Sequence, residues 1–574
     1  MFGRSRSNVA HTIDPSVPVG SSAPFDIRVP VRNWPAVGRP PTNSPVTLAT
    51  TSRFNRIRTS ASNRNMTDGT EAPADGSSGD LPESYQNLLD RSEKLTNVRM
   101  ASMALAWDQR VMMPDGGTPA RAGQLSTLSS LGHELLVDEA VGEWLEDLEG
   151  ASLDEEGSAI VREIRREYER SAEVPADVVE RLTRHQSETQ QVWEEAKAAD
   201  DFERFAPPLT ALIALQRERA GAIDPTANPY EVMYEDNNPY LPLETVEEIF
   251  ADLRDHLVPL IADIDERGRE LPEPFAGHTY DEETQMALCE EVLDLLGYDR
   301  NHGRLDTAPH PFMAGNQFDA RITTRFDESD PLAALSATIH EFGHATYQLG
   351  LRRDEYETPL GTPRSSGVHE SQSRFWENHV GRTREFWELF LPTVKDHFPH
   401  LEDVTAEEAY AAANRVYPDN LIRVEADELT YHLHIILRCE IDRAFVEGEL
   451  PVEEIPPVWN DKMDEYLGVR PDTDAEGCLQ DTHWSYGFAG FQGYTVGSVL
   501  AAQLDAAMRA DLDVDGCISD GAFEPLREWM TEHVHRHGQR YPTEELIEVA
   551  TGEPFTAEYF LEYVDEKYTE LYDL

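Results

Sequence analysis

Lysine is nearly missing from this 574-residue chain: only Lys94, Lys197, Lys395, Lys462 and Lys567 occur. Cysteine is almost as scarce, with Cys289, Cys439, Cys478 and Cys517 widely spaced and no CxxC pair among them. That spacing excludes a zinc ribbon and a disulfide framework, and it fits a reducing, cytoplasmic setting. No run of 18 apolar residues is present, which removes a membrane-spanning helix. Basic charge is outnumbered, 49 residues against 108 acidic ones, for a net charge of −59. A polyanion repels phosphate, so neither nucleic acid nor an acidic membrane surface is expected as a partner. Self-repulsion of this size destabilises a compact state in dilute salt. At molar salt the Debye length falls to about 3 Å and the repulsion is largely screened. The composition therefore predicts a halophilic protein adapted to a salt-rich cell interior, rather than an ordinary acidic cytosolic one.

The first 65 residues break this pattern. They hold nine arginines, two aspartates and no lysine, a local charge of +7. They lack both helical periodicity and the apolar stretch of a secretory signal. The composition changes abruptly at Met66, which opens the acidic run MTDGTEAPADGSSGD. Residues 1–65 are accordingly expected to be a disordered or mis-assigned N-terminal extension, with Met66 the true start. Residues 66–80 form a flexible acidic lead-in, and the folded catalytic body spans 81–574.

From Leu81 onward apolar residues recur at three- and four-residue spacing, as in Leu243–Arg267, Asp281–Leu296 and Val404–Val416. Strand-like alternation is rare, its best instance being Asp319–Phe326. A mainly α body with one small sheet follows.

One helix carries chemistry. Asp330 before Pro331 is an N-cap followed by proline at the first helical position, and Gly350 is read as the stop. Leu332, Leu335, Ile339, Phe342 and Leu349 make its apolar stripe. Beside that stripe stands His340-Glu341-Phe342-Gly343-His344. Histidines four residues apart share a face and reach one ion at about 2.0–2.1 Å each. Glu341, offset around the helix, misses the ion but reaches a water on it and serves as general base. Two core histidines beside an incidental glutamate would give the same string. A catalytic zinc also needs a third protein ligand. Glu370 opens a new helical pattern after the loop Gly361–Gly367, and Glu377 lies two turns later on the same face. Either is a candidate ligand, and Glu377 is also a candidate outer partner.

Five motifs in order resemble the HExxH metallocarboxypeptidases typified by carboxypeptidase Taq. They are Asp319-Ala320-Arg321-Ile322-Thr323 (DxRxT), His340–His344, and His369-Glu370-Ser371-Gln372 (HES(G/Q)). Ile422–Asp427 (IRxxAD) and Gly477–Trp484 (GxxQDxHW) complete the set. The resemblance implies a mainly α, large two-lobed helical body with a deep active-site groove, and a homodimer. It implies that His340, His344 and Glu370 bind zinc, or cobalt, with Glu341 as base. Peptides with a free C-terminus would lose single residues with broad specificity. Arg423, from IRxxAD, is the leading fork for the terminal carboxylate, its structural alternative being a salt bridge to Asp427. Arg321 is a second substrate-binding candidate, or a brace to Asp427 or Asp481. His483 either donates to the scissile carbonyl or its oxyanion or packs beside Trp484. Tyr494 is a further candidate donor in catalysis. Relatives often carry Phe-Pro-Thr-Tyr where this chain has Phe491-Gln492-Gly493-Tyr494. The competing readings are an HExxH oligopeptidase that cuts inside short peptides and a non-catalytic helical binding protein.

The charge balance generates a first prediction. The helical circular dichroism signal should collapse in dilute buffer and return in concentrated KCl; full stability without salt would refute the salt-adapted reading.

Overall fold

The strand Asp319–Thr324 and the helix that follows it set the frame for the site. The computed structural model describes residues 81–574, and the expectations for residues 1–65 and 66–80 lie outside them. Three short strands, β1 (Leu305–Thr307), β2 (Met313–Asn316) and β3 (Asp319–Thr324), form a sheet with β3 in the middle. β3 runs parallel to β1, with Leu305 opposite Ile322, and antiparallel to β2, with Gly315 opposite Ala320. Its Ala320, Ile322, Thr323 and Thr324 are buried, so the β-branched residues pack as the sequence pattern required. Thr324 ends the strand by donating its hydroxyl to Ala334 O at 3.2 Å, which ties sheet to helix.

That helix, Pro331–Gly350, begins where the sequence placed it, with Asp330 accepting from Leu332 N at 2.9 Å. Its end needs correction. Gly350 is still helical and the cap is Leu351. Glycine stands there because a Cβ would overlap the ring of His535. Leu243–Arg267 is one helix, as expected. In the Asp281–Leu296 pattern Asp281 is the N-cap and Glu282–Leu296 the helix. Val404–Val416 shortens to Ala406–Ala413, because Thr405 and Glu408 form a capping box.

The decisive packing is a sandwich of three helices. Ser366–Arg374 crosses between Pro331–Gly350 on one side and Gln492–Asp511 on the other. Glycine permits both approaches. A Cβ on Gly343 would lie 2.5 Å from Gln372 O and Ser373 Cα, and one on Gly497 would lie 2.5 Å from Glu370 Cβ. The crossing helix then widens into a π-helical stretch, Phe375–Gly381, of the kind that often marks functional sites.

The described residues hold a large hydrophobic core and a small satellite cluster. The satellite holds Tyr85, Leu88, Val141 and Leu145 from the first helices, together with Leu360. Of the acidic side chains only eight are buried among the described residues, so nearly all the negative charge stays wet. No helix among them is long and apolar enough to cross a membrane.

Gly497→Ala should destabilise the fold by about 1–3 kcal/mol through overpacking. It should also weaken divalent-metal binding, because the new methyl presses on Glu370. Chemical denaturation and metal titration of the purified variant check both effects; wild-type values in both would refute the sandwich argument.

Candidate metal centre

His340 and His344 project from one face of the Pro331–Gly350 helix with ring centroids 4.9 Å apart. The crossing helix brings Glu370 opposite them. Glu370 Oε2 lies 3.7 Å from His340 Nε2 and 3.4 Å from His344 Nε2. One donor atom from each of the three falls within 4.8 Å of the others.

The opposite edge of each imidazole is held. His340 Nδ1 donates to Glu377 Oε2 at 2.9 Å. A carboxylate only accepts, so the proton sits on Nδ1 and the Nε2 lone pair faces Glu370. His344 Nδ1 lies 3.1 Å from His369 O and 2.6 Å from His369 Nδ1, so that residue holds its outer edge and Nε2 faces Glu370. The two open readings of Glu377 are thereby separated: it lies behind His340, away from the Nε2 edges.

Electrostatics favour a cation at this point. Burial opposes ionisation of Glu370 and Glu377, yet Arg374 and the histidines hold both well below the usual carboxylate range. Burial also opposes a charge on His340, but Glu370 and Glu377 prevail and raise its proton affinity. Two imidazole nitrogens and one ionised carboxylate are a donor set that suits a divalent transition metal, whose binding displaces any proton from Nε2. Glu341 is buried one residue on, and burial raises its pKa. Its Oε2 has no hydrogen-bond partner, an acceptor left free beside the three donors.

Arg374, not singled out from the sequence, bridges the two glutamates. Its Nε donates to Glu370 Oε1 at 2.7 Å and its Nη1 to Glu377 Oε2 at 3.2 Å. Spacings of four and three residues on one helix were the available signal. Arg382 and Ser336 take the other oxygen of Glu377, at 2.8 Å and 2.9 Å.

A cavity of about 600 Å³ opens over these groups, lined by His344, Glu370, His483, Phe491 and Tyr494. His483 Nε2 meets Tyr494 OH at 3.3 Å. Burial pushes the pKa of His483 down to about 4, so the ring is neutral near pH 7. Its ring lies against Phe491 at 4.4 Å, and Trp484, the expected packing neighbour, instead meets Phe445 and Trp459. Behind this wall Arg423 stands over the Tyr494 ring at 5.5 Å.

The expected arginine partners are corrected. Arg423 pairs with Asp481 at 2.7 Å, not with Asp427, whose oxygens cap the turn at Leu429 and Thr430. Arg438, unread in the sequence and fully buried, takes Asp481 Oδ2 at 2.6 Å and stacks on Trp459. Arg321 reaches neither Asp427 nor Asp481. Asp319, two residues away on β3, holds it at 2.6 Å, and its guanidinium covers the Trp107 ring. Like Arg423, which stands behind Tyr494, it lines neither the cavity over the histidines nor the basic one described below.

Replacing Glu377 by Gln should free His340 Nδ1 from its carboxylate and lower metal affinity about 10–100-fold. Competition against a chelator measures this, and unchanged affinity would remove the outer-partner role.

Comparison with known proteins agrees with this geometry. The family described as carboxypeptidase Taq (M32) metallopeptidase matches residues 87–568. Thermostable carboxypeptidase 1 of Thermus thermophilus is 38% identical over 504 residues, covering 85% of this chain and 99% of that protein. Carboxypeptidase 1 of Bacillus subtilis is 35% identical over 493 residues, covering 85% and 98%. The crystal structure of the M32 carboxypeptidase from Deinococcus radiodurans superposes with a TM-score of 0.82 at 38% identity, covering 86% of this chain and all of that one.

Proposed function

The chain belongs to the carboxypeptidase Taq (M32) metallopeptidase family and is a metal-dependent carboxypeptidase, and from that premise we propose how its residues divide the work. His340 Nε2, His344 Nε2 and a Glu370 oxygen hold the ion. Zinc fits two imidazoles and one carboxylate best, and cobalt accepts the same donors. When bound, the ion supplies a Lewis acid that polarises the scissile carbonyl and makes hydroxide available near neutral pH.

Glu341 is the general base. The observation that carries this is its buried, unpartnered Oε2 beside the three metal donors. That atom takes a proton from the attacking water and returns it to the leaving amine nitrogen. Tyr494 OH and His483 Nε2, 3.3 Å apart at the cavity wall, donate to the oxygen that gains charge in the transition state. Arg423 receives the terminal carboxylate. Asp481 fixes its Nε and Nη2, while among the described residues Nη1 hydrogen-bonds only Tyr431 OH, at 3.3 Å, and keeps donor capacity. Broad specificity is supported by walls built from Gly487, Phe488, Gly490 and Phe491, which put no charge beside the terminal side chain.

The protein acts on free-ended peptides as a homodimer in a salt-rich cytoplasm. All four cysteines are free, which supports a reducing compartment.

Release of the last residue from a free-carboxylate peptide, in concentrated KCl with zinc, should fall about 10²–10⁴-fold in Glu341→Gln. Amidating the peptide's C-terminus should abolish release by the wild type. Equal rates for wild type and variant would remove Glu341 as base, and cleavage of the amide would favour the oligopeptidase reading.

A further inference from the structure

A second cavity, of about 520 Å³, shares Asn237, Ser365 and Ser366 with the one over the metal donors. Its charge runs against the rest of the molecule. Arg91, Arg99, Arg166, Arg170, Arg219 and Arg364 reach its wall, against three acids, Glu163, Glu167 and Asp236. In a chain of net charge −59, such a concentration of guanidinium groups is a local reversal of sign.

Most of these arginines are already paired. Arg364 forms a buried fork with Glu163, Arg91 meets Asp138, and Arg99 meets Glu167. Arg170 meets Asp236 at 2.6 Å and Glu235 at 3.2 Å, and Arg219 shares Asp236 at 2.7 Å. Arg166 differs. Among the described residues no carboxylate pairs with it. Its guanidinium donates to the backbone oxygen of Glu235 and lies over the Tyr240 ring at 5.7 Å. Its neighbour one helical turn on is Arg170, a like charge that costs stability where it stands.

We propose that this arginine-lined cavity is a subsite for acidic side chains of the peptide substrate upstream of the scissile bond, with Arg166 as the principal contact. The proposal rests on the carboxypeptidase reading. A peptide whose C-terminal end lies at His483 and Tyr494 extends past Ser365 and Ser366 into this second space. There a carboxylate would complete the charge that Arg166 lacks, through a charge-assisted hydrogen bond. The subsite also offsets a general difficulty: a strongly anionic enzyme repels anionic peptides.

The test uses the full chain, metal-loaded, with hexapeptides that share one C-terminal residue and carry Glu or Gln at each upstream position in turn. For wild type, kcat/KM should favour Glu over Gln about tenfold at one position, expressed in KM. Arg166→Gln should bring that ratio close to one, and Arg166→Lys should keep part of it. Calorimetry of the same peptides on Glu341→Gln, with and without Arg166→Gln, reads the Glu/Gln affinity ratio without turnover. A ratio near one at every position in the wild type, or a preference that survives Arg166→Gln, would overturn the proposal. Release from the all-Gln peptide tests the carboxypeptidase reading separately. If that release failed, the calorimetric ratio would still decide the subsite.

Discussion

Two helices approach the crossing helix Ser366–Arg374 so closely that neither contact tolerates a Cβ, and the catalytic geometry depends on that approach. Gly343 lets the histidine-bearing helix sit against Gln372 and Ser373, and Gly497 lets the opposite helix sit against Glu370. Glycine inside a helix costs about 0.5–1 kcal/mol relative to alanine. Here that cost sets the separation at which Glu370 Oε2 faces both histidine Nε2 atoms. Interiors are close-packed, so a shift on either side is transmitted rather than absorbed.

Around this contact the fold buries charge in alternating order. Glu370 and Glu377 share Arg374, and Glu377 also takes Arg382. Further on, buried Glu428 accepts from Lys567 at 2.6 Å and from Tyr563 and Tyr568. Ions removed from water carry a penalty of several kcal/mol each, which only good geometry repays. The arrangement is therefore better understood as fixing the ionisation and position of the two glutamates than as a source of stability. On the far side of the cavity Asp481 plays the same part for Arg423 and Arg438.

The same molecule keeps two electrostatic regimes apart. Its surface is acidic and wet, whereas the wall of the basic cavity concentrates arginine. The boundary is the turn at Ser365 and Ser366, held by Asn237 O and Asn238 Oδ1 at 3.0–3.2 Å. Ser365 caps the helix that carries Glu370. The element that separates the cavities also fixes the third metal donor.

Much was legible in the order of residues. Histidines spaced by four, an N-cap at Asp330 and the apolar stripe are local features that depend only on helical geometry, and they survived into the fold. The alternation of β3 did so too, because period two is also local. Partners across the chain were less legible. Arg321 and Arg423 were read as cations seeking acids, but a sequence with 108 acids offers many, and only packing chose Asp319 and Asp481. The separation of Glu370 from Glu377 needed the π-helical stretch, whose wider turn no periodicity announces. Gly350 reads in the sequence as a helix stop, while Gly343 and Gly497 carry no signal of their own there. Tertiary approach made each of them a contact. The sequence by itself determined the chemistry of the metal donors, because that chemistry resides in residue types and short spacings. Tertiary structure alone decided which carboxylate faces them and which cation each acid holds, because those are distances between segments remote in the chain.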